Sequence, residues 1–300
     1  MYNTIINEVI RKMKLIASDL DGTLLNENGE ISEENLQAIK RIEEKGIKFV
    51  VATGRSYDAA NKPFQSAGLS CPFICLNGAN TFDLKGQLLH EITMELPICQ
   101  KIISVCQKAD MYIEVFTNQG IYSLSRENYM EIITQAIHTA KIDSTEEDIR
   151  QFIEQRFQDE KVQFIHNYEE LFSMKDIKVY KILSFASQRE ELNKANENLK
   201  NESGMVITSS GPLNLEFNHP KAQKGIALKN LADKMGIQMK DVMALGDNLN
   251  DKSMLLQAGR GVAMGNAAEE IKELCTYITK TNHDNGFAFA IEEMLEEYHL

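Results

Sequence analysis

The chain has 300 residues, of which 43% are hydrophobic and 25% charged, a composition typical of soluble globular proteins. Its net charge of −12 offers no broad basic face for nucleic acid, and no apolar stretch approaches the ~20 residues needed to cross a membrane. Five cysteines without a CxxC pair disfavour a zinc site and predict a reduced, cytoplasmic setting. We therefore expect neither a nucleic-acid nor a membrane partner.

Residues 1–12 precede the first predicted strand and have a weak amphipathic pattern. They lack the apolar core of a signal peptide. Met13 stands directly before the strand and is an alternative start. We interpret residues 1–12 as an N-terminal extension that the fold does not need.

The most informative stretch is the sequence DLDGT at 19–23, which follows an apolar run at 15–17. The run predicts a short buried strand. Because side chains alternate along a strand, Asp19 and Asp21 point to the same side at its carboxyl end, where open parallel sheets bind ligands. Two carboxylates there repel each other unless a cation or a shared proton intervenes. The stretch predicts a magnesium site in which one carboxylate attacks phosphorus and the other moves a proton. An ordinary strand-to-turn exit is the alternative.

Strand and helix signals then alternate up to residue 82. Ser32 predicts the start of a helix with acidic residues in its first turn, and Gly46 predicts its end. Leu36 is expected on its apolar face. Apolar runs at 47–52 and 73–76 predict two more strands, each ending in a polar or glycine turn. This order is typical of a doubly wound sheet.

Residues 84–217 show a different pattern of predicted elements, with amphipathic helices, longer strands and a final hairpin around Gly211. The strand-and-turn pattern of the first segment returns at residue 221. The simplest description is a core formed by 13–83 and 218–300 and interrupted by an α+β insert at 84–217. We therefore predict an α/β fold whose core is a doubly wound, Rossmann-like parallel sheet.

A second acidic cluster, GDNLND at 246–251, follows another apolar strand. Magnesium prefers oxygen ligands in near-octahedral geometry and keeps several waters, so one or two carboxylates with a substrate phosphate suffice. Asp19 and Asp247, with the backbone carbonyl of Asp21, can supply that set. Alone, Asp247 and Asp251 are equally explained as turn or helix-capping residues. Their predicted position at the same sheet edge as the first cluster favours the metal.

Three weaker signals point to phosphate. The hydroxyl of Thr53 and the backbone N–H of Gly54 follow a strand and can bind phosphate oxygens, although a plain turn explains them as well. Lys224 opens a predicted helix and can bring an ammonium to the same phosphate, although composition alone favours a solvated surface lysine. Asn77 has the same ambiguity, because Asn-Gly is a favoured turn.

Taken together, the motifs DxDGT, TG, a lysine and GDxxND resemble the haloacid dehalogenase superfamily, and within it the Cof-type phosphatases of subclass IIB. The resemblance runs from Met13 to the C-terminus and rests on LDGTLL, ATGR, NGA, KG and GDNLND as they stand in this chain. Lys252-Ser253 departs from the apolar or acidic residues expected there, outside the catalytic set.

The resemblance implies a role for each matching position. Asp19 would be the nucleophile and a metal ligand, Asp21 the general acid/base and a ligand through its carbonyl, and Asp247 the remaining carboxylate ligand, with Mg²⁺ as cofactor. The phosphate would be held by Leu20, Thr53, Gly54, Lys224 and Asn250, with Asp251 and Asn77 in support.

The resemblance also implies that the insert is a cap of type C2, and that the reaction is hydrolysis of small phosphate monoesters through an aspartyl-phosphate. Sugar phosphates and phosphorylated cofactors are the expected substrates, and a monomer or homodimer is the expected assembly. Two alternatives stay open. One is a phosphomutase of the same superfamily, and the other is a phosphate-responsive regulatory protein that does not turn over.

Overall fold

The computed structural model describes residues 13–139, 145–211 and 213–299. The predicted extension at 1–12 lies outside the described residues. The strands are, in chain order, β1 (Leu15–Ser18), β2 (Lys48–Ala52), β3 (Phe73–Cys75), β4 (Asn80–Phe82), β5 (Leu88–Glu91), β6 (Tyr112–Thr117), β7 (Gly120–Ser123), β8 (Val162–Phe164), β9 (Val179–Phe185), β10 (Val206–Thr208), β11 (Asn214–Asn218), β12 (Val242–Gly246), β13 (Arg260–Ala263) and β14 (Tyr277–Ile278).

The helices are, in the same order, α1 (Glu33–Glu44), α2 (Tyr57–Ser66), α3 (Leu96–Lys108), α4 (Arg126–Thr139), α5 (Glu146–Glu160), α6 (Tyr168–Ser173), α7 (Arg189–Leu199), α8 (Lys224–Lys234), α9 (Lys252–Gln257), α10 (Glu269–Leu274) and α11 (Gly286–Glu297). Among the described residues, none of these helices has the length and apolarity to cross a membrane.

The larger sheet has eight strands in the order β14-β13-β12-β1-β2-β3-β4-β5. All pairs from β14 to β3 are parallel, and β4 and β5 add an antiparallel hairpin. Leu15 and Ala17 pack into one hydrophobic cluster, whereas Ile16 packs into another on the opposite face. A parallel strand buried on both faces is the mark of a doubly wound sheet, so the predicted fold class is confirmed.

A second sheet of six strands, in the order β10-β11-β9-β6-β7-β8, is antiparallel except for the β7–β8 pair. On β6, Ile113 and Val115 face the cluster that includes Cys99 of α3. Tyr112 faces the opposite cluster, which includes Tyr129 of α4. The insert therefore has its own sheet with a hydrophobic cluster on each face.

The hairpin formed by β4 and β5 helps to define where the insert begins. Its turn contains Asp83 and Gly86, and both flanking strands belong to the larger sheet. The expected boundary between 83 and 84 therefore falls inside a hairpin of the core. We propose that the insert starts after Glu91 and ends at Asn218. The exposed leucines of β5 do not alternate with polar residues, so its sequence carries no clear strand signal.

Candidate active site

The centre of the site is a buried lysine held between two carboxylates. Lys224, the first residue of α8, donates to Asp19 Oδ1 and to Asp251 Oδ1, each at 2.6 Å. Its side chain is completely buried, and so is that of Asp251. Since a buried ammonium is tolerated only when its charge is paired, the three side chains hold one another in place at the ends of β1 and β12.

Asp251 uses both of its carboxylate oxygens within this arrangement. While Oδ1 accepts from Lys224, Oδ2 accepts from the backbone N–H groups of Asp247 and Asn248 at 2.9 and 3.0 Å. The carboxylate therefore shapes the loop after β12 and orients the lysine at the same time. This occupancy leaves Asp251 poorly suited to bind a further ligand.

Asp19, Asp247 and Asp251 place carboxylate oxygens within 4.8 Å of one another. Burial, reinforced by the charge of Asp251, raises the pKa of Asp19 well above its usual range even though Lys224 opposes the shift. The same two causes raise the pKa of Asp247 to about 7. Carboxylates that repel each other in a buried site are relieved by a divalent cation.

The donor set fits Mg²⁺. Because Asp251 is already occupied, Asp19 and Asp247 remain as the carboxylate ligands, and their hard oxygens match the preference of Mg²⁺. From the residues that the structure describes, the Asp247 carboxylate receives only long hydrogen bonds, from the Thr23 hydroxyl at 3.4 Å and the Asn248 amide at 3.3 Å. Its carboxylate is thus available to a metal in a way that Asp251 is not.

Gly22 lets the turn after β1 approach Asp247 closely. Its φ of +73° lies in the left-handed region, and a Cβ there would come within 2.5 Å of Asp247 Oδ2. The carbonyl of Gly22 accepts from the Asn266 side chain at 2.8 Å. The glycine of the DGT motif is therefore required both by its backbone angle and by the space it leaves.

Asp21, the expected general acid/base, has an exposed side chain. Both of its oxygens are bound by the half-buried guanidinium of Arg55, with Nε 2.9 Å from Oδ2. Asp21 is therefore fixed by a bidentate ion pair rather than by burial.

The predicted phosphate-binding residues lie in turns that contact one another. Thr53 is buried, its hydroxyl accepts from the N–H of Arg55 at 3.1 Å, and its carbonyl accepts from the N–H of Asn77 at 3.0 Å. Asn250 donates from its side chain to Asn77 Oδ1 at 3.3 Å. Leu20 is buried in the turn after Asp19. The structure thus links the turns that follow β2, β3 and β12.

Three further charged residues border the site: Arg55, Lys181 and Glu216. The sequence motifs did not lead us to select them. Arg55 is the last residue of the ATGR motif and could have been identified from that motif. Lys181 interrupts a mostly apolar and almost wholly buried strand, β9, and a charged residue in such a strand is the signal that finds it. Glu216 lies on β11 between two asparagines at the strand ends, so its strand carries no comparable signal.

Comparison with known proteins shows the family of the chain. The sequence profile of the haloacid dehalogenase-like hydrolases matches residues 16–291. Phosphatase YwpJ of Bacillus subtilis is 36% identical, over 94% of this chain and 100% of its own. The 5-amino-6-(5-phospho-D-ribitylamino)uracil phosphatase YwtE of the same organism is 34% identical, over 94% of this chain and 98% of its own.

A solved structure of a haloacid dehalogenase-like hydrolase from B. subtilis superposes with a TM-score of 0.85 and 36% identity. The match covers 93% of this chain and 99% of that one. Sequence, fold and the acidic site therefore lead to one assignment. The chain belongs to the haloacid dehalogenase-like hydrolases and is a phosphatase of the Cof type.

Proposed function

We propose that the chain is an Mg²⁺-dependent phosphatase that hydrolyses small phosphate monoesters through an aspartyl-phosphate on Asp19. The observation that carries the proposal is the 2.6 Å contact between the buried Lys224 ammonium and Asp19, with Asp247 beside them. A nucleophilic carboxylate needs a cationic surrounding if it is to approach an anionic phosphate. Lys224 supplies one positive charge, and bound Mg²⁺ would supply two more and orient the phosphate.

In the first step, a carboxylate oxygen of Asp19 attacks phosphorus while the bond from phosphorus to the leaving oxygen breaks. Protonated Asp21 delivers its proton to that leaving oxygen. In the second step, ionised Asp21 takes a proton from water, which attacks phosphorus and releases Asp19. A carboxylate nucleophile divides one difficult displacement into two easier ones. Arg55 binds both oxygens of Asp21 in this structure, so one of these two contacts must open before that oxygen can carry the proton to the leaving group.

Thr53, Gly54 and Asn250, with the Leu20 backbone, would bind the phosphate oxygens, and Asn77 would support them. The contacts among their turns support this assignment, since groups fixed relative to one another are already arranged for a ligand. For the substrate, we propose a small phosphorylated metabolite. The name of YwtE, a phosphatase of a phosphorylated ribitylamino compound, favours that class. A cytoplasmic location and a monomeric or dimeric state stay predictions.

The test is phosphate release from a panel of phosphate monoesters, with and without Mg²⁺, using Asp19→Asn as the blank. The substitution keeps the shape of the side chain, so its melting temperature serves as the control for folding. Mg²⁺-dependent release that is missing in the variant supports the proposal. Wild-type activity in Asp19→Asn contradicts the nucleophile assignment. Isomerised sugar phosphate without free phosphate would indicate a mutase, and a stable phosphoaspartate without turnover a regulatory protein.

A further inference from the structure

Two opposite charges are buried on neighbouring strands of the insert. Lys181 on β9 and Glu216 on β11 lie 2.6 Å apart, from Nζ to Oε1, and each side chain is only 2% exposed. Removing two charges from water costs about as much as their attraction returns, so a buried ion pair is weak evidence for stability. Its position therefore needs another explanation.

The pair joins the insert to two turns of the core. Lys181 Nζ donates to the carbonyl of Gly54 at 3.0 Å, and the Asn77 side chain donates to Glu216 Oε2 at 2.7 Å. Gly54 and Asn77 are the residues after β2 and β3 to which we assign phosphate-binding and supporting roles. The charged pair of the insert therefore contacts both of these turns of the core.

The packing around Gly54 shows how closely the pair approaches. A Cβ on Gly54 would stand 3.2 Å from Asn77 Oδ1, 3.3 Å from Lys181 Nζ and 3.4 Å from Glu216 Oε1. These three polar atoms surround the position that the Cβ of any other residue would occupy. The turn after β2 and the insert are therefore fitted to each other at this point.

The groups of the pair are occupied by the protein. Glu216 accepts from Lys181, from Asn77 and from the Ser210 hydroxyl at 3.0 Å. Lys181 binds Gly54 and Glu216 and stands over the ring of Phe116, 5.3 Å from its centre. Among these contacts, Lys181 reaches the Gly54 carbonyl and Glu216 reaches the Asn77 side chain, so each member of the pair holds one turn of the core.

We propose that Lys181 and Glu216 are positioning residues, which fix the Gly54 and Asn77 turns in their phosphate-binding geometry when the insert rests on the core. This inference rests on the proposed function of those turns. It makes the phosphate site complete only while the insert is closed, so that closure and phosphate binding favour each other.

The test compares Lys181→Met with Lys178→Met. Lys178 also binds the core, through Glu91 of β5, but its side chain is half exposed and that contact does not reach either turn. The first readout is hydrogen exchange of the backbone amides at 53–56. The second is the inhibition constant of inorganic phosphate, and the third is kcat and KM for the best ester of the panel.

For Lys181→Met we expect faster exchange at 53–56, weaker inhibition by phosphate and a loss of about 100-fold in kcat/KM, as misplaced binding groups produce. Lys178→Met should leave all three values unchanged. If Lys181→Met does not fold, Lys181→Met/Glu216→Gln replaces it, because that variant leaves no unpaired buried charge.

Wild-type exchange and phosphate affinity in the folded Lys181 variant would overturn the inference. An equal effect of Lys178→Met would overturn it too, since any cap contact would then suffice. If the wild type hydrolyses no ester, the proposed function fails. The exchange measurement still decides whether the pair fixes the turn, because it requires no turnover.

Discussion

Asp247 and Asp251 lie in one loop, yet replacing each by asparagine should change the stability of the metal-free protein in opposite directions. The pKa of Asp247 is raised from 3.8 to about 7, first by burial and then by the charge of Asp251. A carboxyl whose pKa is higher in the fold than in the unfolded chain destabilises the fold once it ionises. Its cost therefore appears as the pH rises from about 4 to about 7 and stays constant above that.

The size of the effect follows from the shift. At about 1.4 kcal/mol for each pKa unit, Asp247→Asn should raise the free energy of unfolding by at most about 4 kcal/mol at pH 8. The substitution keeps an oxygen for the Thr23 hydroxyl, so little packing changes. Asp251→Asn should lower the same quantity by about 3–5 kcal/mol, because a buried ion pair is broken. In either orientation, the NH₂ group of the new asparagine side chain faces other donors, which are the Lys224 ammonium or the two backbone N–H groups.

The assay is urea unfolding of the wild type and both variants in EDTA, at pH 5 and at pH 8, repeated with excess Mg²⁺. The gain from Asp247→Asn should be larger at pH 8 than at pH 5. Mg²⁺ should stabilise the wild type more than Asp247→Asn, since binding to the folded state alone adds stability. A metal-free Asp247→Asn protein that is as unstable as Asp251→Asn would refute the reasoning.

Three further results are expected. Gly22→Ala should lower kcat/KM by about 100-fold, because the new Cβ would come within 2.5 Å of Asp247 Oδ2. Steady-state kinetics measures this loss, and a melting curve checks that the variant is folded. Arg156→Met should lower the free energy of unfolding by about 3–5 kcal/mol, because it leaves the fully buried charge of Glu114 without its ion-pair partner. Adding Glu114→Gln should recover most of this loss, as measured by urea unfolding. Burial alone would raise the pKa of Glu216, but its ion pair and hydrogen bonds hold it below the usual 4.5. Wild-type stability should therefore fall more steeply than that of Glu216→Gln as the pH drops below 4.5, in a series of acid unfolding curves.

The parts of the fold that the sequence predicted are those set by local signals. The apolar run before Asp19 is strand β1, and Ser32 caps α1 by accepting from the N–H of Asn35 at 3.2 Å. Leu36, expected on the apolar face of α1, is only half-buried, whereas Asn35 is buried. Its amide donates to Leu24 and accepts from Ala288. Periodicity ranks an asparagine as polar and cannot see that distant backbone groups satisfy it.

The same limit applies to the candidate site. The acidic motifs could be found because each stands at the end of its own strand. Glu216 contacts Asn77 across 139 positions of the chain, and Lys181 contacts Gly54 across 127. Such contacts depend on how the insert meets the core, which no local pattern contains. What the sequence does carry is the charge of Lys181 in the middle of a mostly apolar strand, whereas the strand of Glu216 contains two asparagines and gives no such signal.

The contacts within the core and the contacts between the insert and the core involve different residues of the site. Asp19 and Lys224 stand on either side of the insert in sequence, 205 positions apart, yet they meet within the core together with Asp251. Among the described contacts, the proposed nucleophile Asp19 and its counter-charge Lys224 are therefore held together by residues of the core. The turn at Gly54, by contrast, takes a hydrogen bond from Lys181 of the insert. Substitutions at that junction should change how often the phosphate site is complete, whereas substitutions among the three core residues should change what the completed site can do.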